Sequence, residues 1–317
     1  MILVHFLCNA KSRGSGFVLA NPELKESEIQ TDHYSIFENH RMSEFDVQTL
    51  LKTPTVTIRD TACQGACRAQ SAEECAATTQ LVFPYRGVYV RHLGEDQAVA
   101  EANQLVFFNA NESYRISHPV RGGDGSLTLA IAEPLLQELA PPALLRKSPA
   151  LAFHPHRLRI DARTQALVAL LRHGLRQNIA EPLEAESLAL TLLQRALGPR
   201  TSHAAGASLG SQRLVDRVKL VLAGDLARRW TLAEIASEVR GSPVYLTQVF
   251  QQVEGMPLYR YQLRLRLARA LHLLAQYDDL TALGLDLGFS SHSHFSAAFR
   301  QAYGRSPSEF RQSALRR

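Results

Sequence analysis

Between residues 231 and 311 the chain writes one local pattern twice: a capped short helix, a tight turn and a second helix. Thr231-Leu232-Ala233-Glu234 has the form of a capping box, in which the Thr231 hydroxyl caps the helix and Glu234 reaches back. Ile235, Ala236 and Val239 supply the apolar face of that helix, and Arg240-Gly241 makes the turn. Ser242 is a natural N-cap and Pro243 suits the first position of the next helix, which Gly255 is able to stop. The second copy starts near Asp279, with Leu280, Leu283 and Leu287 facing inward, Gly288 at the turn and Ser291 as the cap. Its second helix carries Phe295, Ala298 and Phe299 on the inner side. One long helix, Pro257 to Gln276, joins the copies; Leu263, Leu267, Ala270, Leu271 and Leu274 form its apolar face, and Arg260, Arg264, Arg266 and Arg269 decorate it. A further helix, from about Gln212 to Leu222, precedes the first copy.

This is helix-turn-helix spacing, in which the second helix of each pair enters the major groove of double-stranded DNA. The charge agrees. Residues 211–317 hold 15 Lys/Arg and 9 Asp/Glu, a net of +6, while the rest of the chain nets −1. The positive excess therefore lies where phosphates would be neutralised. On the first recognition helix Val244, Thr247, Gln248 and Gln251 share the face opposite Leu246, Val249 and Phe250. Gln pairs with adenine edges, and Thr or Val methyls touch the thymine methyl, so these four are the base-reading candidates, with Ser242 at the cap. On the second, Ser291, His292, Ser293, Ser296, Ala297 and Arg300 face outward. Small side chains predict shape fit and phosphate contact there rather than base discrimination.

The segment resembles the AraC/XylS family of bacterial transcription regulators. The resemblance rests on Leu232 to Ala236, Ser242 to Phe250, Arg266 to Ala270, Gly288-Phe289 with Ser291, Ser293, His294 and Phe295, then Phe299-Arg300, Gly304, Ser306-Pro307 and Phe310-Arg311. It covers about a third of the chain. It implies two recognition helices on adjacent major-groove segments of one face of the duplex, a homodimer and, for an activator, RNA polymerase as a partner. One departure is Gly284, where the family usually carries Ala; glycine costs a helix about 1 kcal/mol.

Residues 53–133 read as β-rich. Leu81-Val82-Phe83, Val88-Tyr89-Val90, Leu105 to Phe108, Tyr114 to Ser117 and Leu127 to Ile131 are short strand-like runs between turn residues. After Pro141-Pro142 two helical stripes follow, Leu167/Leu170/Leu171/Leu175 and Leu188/Leu192/Leu193/Leu197, a hairpin to pack on the β region or between subunits. Many members of the family carry a cupin-like β-barrel followed by a dimerising helical pair, and this region looks like that arrangement. The expected fold is α+β: a weakly structured extension over 1–45, a cupin-like β-barrel sensor with a helical hairpin over 46–198, a small-residue linker over 199–210, and an all-α DNA-binding domain of two helix-turn-helix units joined by a long helix over 211–314.

Cys63, Cys67 and Cys75 lie close together as C-x3-C-x7-C, with Cys8 apart. Such clustering favours a metal or a thiol switch over structural disulfides in a cytoplasmic protein. Zinc at these three cysteines would need a fourth ligand, for which His92 or His118 is available. The spacing resembles the first half of the four-cysteine site of Ada-type repair proteins, without its later C-x2-C pair. The bland alternative is three unligated thiols in or beside a loop, with no chemistry; the expected signal is a small-molecule or redox effector of unknown identity. The alternatives are a metal-dependent cupin enzyme fused to the DNA module and a cysteine-based repair protein. The enzyme reading is discounted: no carboxylate completes a set with His118, His154 and His156, and Glu112 and Asp124 are placed in turns. No apolar run approaches the roughly 20 residues of a membrane helix, so no membrane partner is expected. The apolar start Met1 to Cys8 lacks a basic residue before it and a cleavage site after it, Met42 is an alternative start, and a cytoplasmic protein is expected.

Overall fold

The computed structural model describes residues 45–65, 68–147, 150–198 and 207–314. Its N-terminal part is built from two antiparallel sheets. The larger contains β1 (Phe45–Lys52), β2 (Val56–Cys63), β4 (Gln80–Arg86), β7 (Gln104–Phe108), β9 (Asp124–Ile131) and β10 (Arg157–Arg159), in the order β1-β2-β9-β4-β7-β10. The smaller contains β3 (Glu74–Cys75), β5 (Tyr89–Leu93), β6 (Asp96–Ala100) and β8 (Ser113–Ser117), in the order β3-β8-β5-β6. Among the described residues the two sheets are hydrogen-bonded separately, so the expected barrel is open rather than closed.

Alternation explains why the central strands read as unbroken apolar runs. In β4 and β7, Leu81, Phe83, Leu105 and Phe107 face the helices that cover the larger sheet, whereas Val82, Val106 and Phe108 face the smaller sheet. Both faces are covered, so successive residues are apolar although they point in opposite directions. Outer strand β1 is mostly exposed.

A short helix, α1 (Glu133–Leu139), leads to the hairpin of α2 (Ala162–Arg176) and α3 (Pro182–Leu197). Asp161 caps α2 by accepting from the Thr164 N–H at 2.8 Å, and Arg195 of α3 donates to the same carboxylate, fastening the hairpin. Burial opposes ionisation of Asp161, but the bonds from Arg195 and Thr164 outweigh it and hold its pKa down at about 2. The hairpin has two working faces. Val168, Leu171 and Leu175 join Leu192, Leu193 and Leu197 against the larger sheet. Ala166, Ala169 and Leu170 turn away from it and pack on the C-terminal module.

That module contains α4 (Leu209–Gly224), α5 (Leu232–Glu238), α6 (Pro243–Glu254), α7 (Leu258–Leu273), α8 (Leu280–Asp286), α9 (His292–Tyr303) and α10 (Pro307–Ala314). Ser208 caps α4 by accepting from the Ser211 N–H, so this helix begins at Leu209, ahead of the Gln212 read from the sequence. The rest of the expected linker, 199–206, lies outside the described residues. There are two small cores. Leu214, Val218, Ile235, Leu246 and Phe250 form the first, and Leu283, Phe289, Phe295, Phe299 and Phe310 the second. The long helix α7 serves both: Tyr261 and Leu265 enter the first core, Leu267, Ala270, Leu271 and Leu274 the second. Full burial of each of these large apolar side chains contributes roughly 2–3 kcal/mol.

Candidate nucleic-acid interface and sensor cavity

The first head is set by its caps. Thr231 Oγ1 accepts from the Glu234 N–H at 3.2 Å, and Glu234 Oε2 accepts from the Thr231 N–H at 2.7 Å, completing the capping box. The Thr231 backbone bond, then the Thr231 hydroxyl and Arg228, hold the Glu234 carboxyl down at about 2. The left-handed residue of the turn is Arg240, at φ 55°, rather than Gly241. Ser242 occupies the N-cap position of α6 but makes no side-chain cap bond, so its exposed hydroxyl is not committed to the helix.

The faces divide as the spacing predicts. Leu246, Val249 and Phe250 are buried, while Thr247, Gln248 and Gln251 are exposed and Val244 is 69% exposed. Thr247 Oγ1 donates to Pro243 O at 3.0 Å, which leaves its methyl as the outward group. Tyr245, 53% exposed beside Val244, belongs to the same surface and was missed in the sequence because its position falls between the two faces.

On the second head Ser291 caps α9 by accepting from the His294 N–H at 3.1 Å. His292, Ser293, Ala297 and Arg300 are exposed and Ser296 is half-buried, with its hydroxyl 3.3 Å from His292 Nε2. Arg300 lies 3.9 Å from Glu309, a loose, exposed pair that a phosphate can displace. Gly284 is buried against Phe295: a Cβ there would stand 3.1 Å from the Phe295 Cβ. The missing methyl makes room for the second core, a packing gain that offsets the helix-propensity cost of glycine.

The two heads meet along a seam. The Arg266 guanidinium donates to four carbonyls: Leu226 and Arg228 at 2.9 Å, and Ala227 and Gly288 at 3.0 Å. Gln262 adds bonds to Leu226 O and Arg228 O. Gly288, at φ 83°, is the turn of the second head, and a Cβ there would overlap Ala227 O. The loop after α4 and the turn before α9 are therefore in backbone contact with one arginine across them. Arg266 does not decorate α7 as the sequence reading had it, and neither does Arg264, which donates to Ile160 O of the N-terminal part at 2.6 Å. No local pattern distinguishes these arginines from solvent-facing ones.

In the N-terminal part, a cavity of about 190 Å³ opens between the sheets, with Phe45, Val82, Tyr89, Phe108 and Ile116 on its apolar walls and Glu74, His118 and Asp124 among its polar groups. Cys63 ends β2, 3% exposed, which leaves little room for the alkyl acceptor of a repair protein. Cys75 lies on β3 in the other sheet, and Cys67 is outside the described residues. Of the two histidines offered as a fourth ligand, His92 is engaged with Ser117 Oγ at 2.8 Å, whereas His118 stands beside Cys63. Asp124 is not in a turn. It heads β9, is buried, and its Oδ2 lies 3.0 Å from His118 Nε2. The other proposed turn acid, Glu112, is held by Arg91 and Arg146, at 3.1 and 2.9 Å.

A helix-turn-helix domain model matches residues 235–313, from within α5 to α10. The chain is 30% identical over 160 residues to the probable transcriptional regulator LumQ of Photobacterium leiognathi, covering 48% of this chain and 60% of LumQ, less than two thirds of that relative's length. It is 28% identical over 228 residues to the regulator GadX of Escherichia coli O6:H1, covering 71% of this chain and 80% of GadX. A solved regulator with an AraC-type DNA-binding domain, from Chromobacterium violaceum, is 31% identical over 34% of this chain and 98% of its own, with a TM-score of 0.32. Residues 235–313 are a helix-turn-helix domain of the AraC type.

In this chain the DNA module is docked on the sheet domain through a buried charge pair that continues into the module. Arg157 on β10 pairs with Asp216 on α4 at 2.7 Å, and Lys219 on α4 pairs with Glu254 on α6 at 2.6 Å, all almost fully enclosed. Glu101, which follows β6, is buried near Lys219 and Tyr261; burial raises its pKa. Burial also opposes the charge on Glu254, but Lys219 and Arg157 outweigh it and its pKa is lowered. A second contact stacks Tyr85 of β4 on His272 of α7, ring centroids 5.1 Å apart. Arg172 of α2 lies over the Tyr85 ring and bonds Asp60 at 2.8 Å, while Tyr85 Oη donates to the same carboxylate at 2.6 Å. Burial, then Arg172, Arg269, Arg86 and Arg176, push the His272 pKa down to about 3. A cavity of about 50 Å³ lies beside it, between α2 and α7. Both recognition faces stay exposed in this docked arrangement.

Proposed function

We propose that this chain is a sequence-specific DNA-binding transcription regulator in which the sheet domain senses a chemical signal and sets how the DNA module is presented. One observation carries the reading: two exposed recognition faces on α6 and α9, held across a single seam by Arg266, in the part of the chain with the net positive charge. Gln248 and Gln251 are the base readers on the first head, helped by the Val244 and Thr247 methyls. Ser242, Ser291, Ser293 and Arg300 serve the phosphates, with His292, Ser296 and Ala297 fitting the second groove segment. LumQ and GadX are both described as transcriptional regulators, which supports regulation rather than catalysis as the role of the whole chain.

The protein acts as a homodimer. Leu183, 76% exposed at the start of α3, and Ile179 beside it give the hairpin an apolar end for a second copy. An activator of this design would contact RNA polymerase once bound. Among the described residues no helix is long and apolar enough to cross a membrane, and the reading places the protein with the DNA in the cytoplasm. The signal acts by shifting the population between docked and released arrangements of the DNA module.

Selection of binding sites from a random duplex pool, with the full chain, tests the proposal. The expected product is a two-part site whose halves lie about one helical turn, roughly 34 Å, apart on one face. A pool with no enrichment beyond salt-sensitive, sequence-independent binding would refute it.

A further inference from the structure

Cys63, His118 and Asp124 come from three different places in the chain, the end of β2, the segment after β8 and the start of β9. Their donor atoms lie within 4.8 Å of one another and all three residues are buried. Cys63 and Asp124 are direct cross-strand partners in the β2–β9 ladder, so their side chains leave the sheet on the same face. Thr61, two residues before Cys63, lines the cavity between the sheets, which makes this the inner face.

The backbone around the cluster is built for close approach. Gly65 and Gly123 have φ of 65° and 69°. A Cβ on Gly65 would stand 2.8 Å from the Gly123 Cα, and one on Gly123 would overlap Cys63 O. Two loops therefore touch backbone to backbone beside the donors, an arrangement only glycine permits. The Gly65 N–H donates to Cys63 Sγ at 3.3 Å, the outer-shell bond that supports a ligating thiolate.

The geometry between His118 and Asp124 points further. Nε2 and Oδ2 are 3.0 Å apart, an ion-pair distance, and both side chains are more than nine-tenths buried. A metal ion held between the imidazole nitrogen and the carboxylate oxygen would take the place of any proton they share. Bonds of about 2.0–2.3 Å at tetrahedral angles set ligand atoms roughly 3.3–3.6 Å apart, so modest closure from the Cys63 side completes such a set.

We propose that Cys63, His118 and Asp124 form a binding site for a divalent transition metal of the zinc class, with the fourth position left to water or another donor. This goes beyond the DNA-binding reading and does not depend on it. The donor set selects the metal: thiolate and imidazole suit zinc or cobalt and disfavour magnesium and calcium. Binding forms a metal–sulfur bond and releases the thiol proton to solvent. The site differs from the three-cysteine set suggested by the spacing. Cys63, and His118 as the fourth ligand offered there, are common to both, whereas β3 carries Cys75 in the other sheet.

The test is titration of the chelator-treated full chain with cobalt(II), followed by displacement with zinc. One equivalent per chain, with tetrahedral ligand-field bands and a thiolate-to-cobalt charge-transfer band, is expected. Cys63→Ser should abolish the charge-transfer band and weaken zinc binding at least about 100-fold, the upper end of what outer-shell changes alone cost. Asp124→Asn should weaken it as well, and Cys75→Ser should leave band and stoichiometry unchanged. No stoichiometric cobalt, or a full charge-transfer band in a folded Cys63→Ser chain, overturns the proposal. If Cys63→Ser fails to fold, wild-type protein decides: zinc should protect Cys63 from alkylation under mild denaturant, and equal alkylation with and without zinc overturns it. DNA binding enters none of these readouts, so failure of this site and failure of the regulator reading are separable.

Discussion

His272 should make the docked structure sensitive to mild acid. The ring is buried against Tyr85, and its Nδ1 lies 3.5 Å from the Arg172 guanidinium, so the neutral form accepts where an imidazolium would have to donate against cations. Burial and the neighbouring Arg172, Arg269, Arg86 and Arg176 depress its pKa to about 3. The unfolded ring titrates near 6.5. Between those values the unfolded chain binds a proton that the folded chain refuses, so stability rises with pH in that window and is lost as pH falls. Above about pH 6.5 both states are neutral and the group contributes no slope. At pH 5 the loss from this ring is about 2 kcal/mol, the 1.5-unit gap to the unfolded value at about 1.4 kcal/mol per unit. Asp161 and Glu234, both held at about 2, lose their contributions as pH falls through the unfolded carboxylate range of about 4 to 4.5, below the pH 5 used for the comparison. His156 is also depressed by burial and adds a slope of the same sign, so the comparison must be with a His272→Gln chain, which keeps an acceptor for Arg172. Urea unfolding at pH 7.5 and pH 5.0 should show the wild type losing about 2 kcal/mol more than His272→Gln. Equal losses in the two proteins, or an NMR titration of His272 near 6.5, would refute the reasoning.

Three further outcomes follow from the DNA module. Arg266→Ala removes one cation from four carbonyls. Since these bonds share one group and are not additive, the cost should be about 3–5 kcal/mol in denaturant unfolding; binding to a two-part site should fall more than binding to a half-site, and a change below about 0.5 kcal/mol contradicts the seam. Gly288→Ala forces a side chain into Ala227 O at a positive φ and should cost about 3 kcal/mol or more, whereas alanine at the exposed Gly304 should be milder because nothing lies within 4 Å of its Cβ position. Gln248→Ala should relax the selected sequence at its position, with about 1–3 kcal/mol of lost discrimination; Ser296→Ala should leave the selected sequence nearly unchanged, and equal effects would show that the heads do not divide the work in this way.

The DNA module was legible because its information is local. The capping box at Thr231 and Glu234, the Ser291 cap, the turn glycine Gly288 and the buried faces of α6 and α9 each depend on residues within one or two helical turns. Periodicity reports such faces directly. The strands were legible as apolar runs for a related reason, but not their partners. β2 pairs with β9 across more than sixty residues, and no local pattern encodes that register. The open arrangement of the two sheets is a matter of which edges find a partner.

The sites that combine distant segments divide along the same line. By itself, the sequence determined that this chain carries two helix-turn-helix units on one long helix, which residues face outward on them, and that positive charge gathers there, because each follows from helix geometry and composition. Only the tertiary structure decided that Arg266 spans the heads rather than facing solvent, that Gly284 makes room for Phe295, and that Asp216 and Lys219 of α4 join a buried charge network under the sheet domain. It also decided that Cys63 meets His118 and Asp124 instead of Cys75. The physical reason is common to all of these. Burial, desolvation and the approach of one backbone to another are properties of contacts between segments far apart in the chain, and local periodicity carries no record of them.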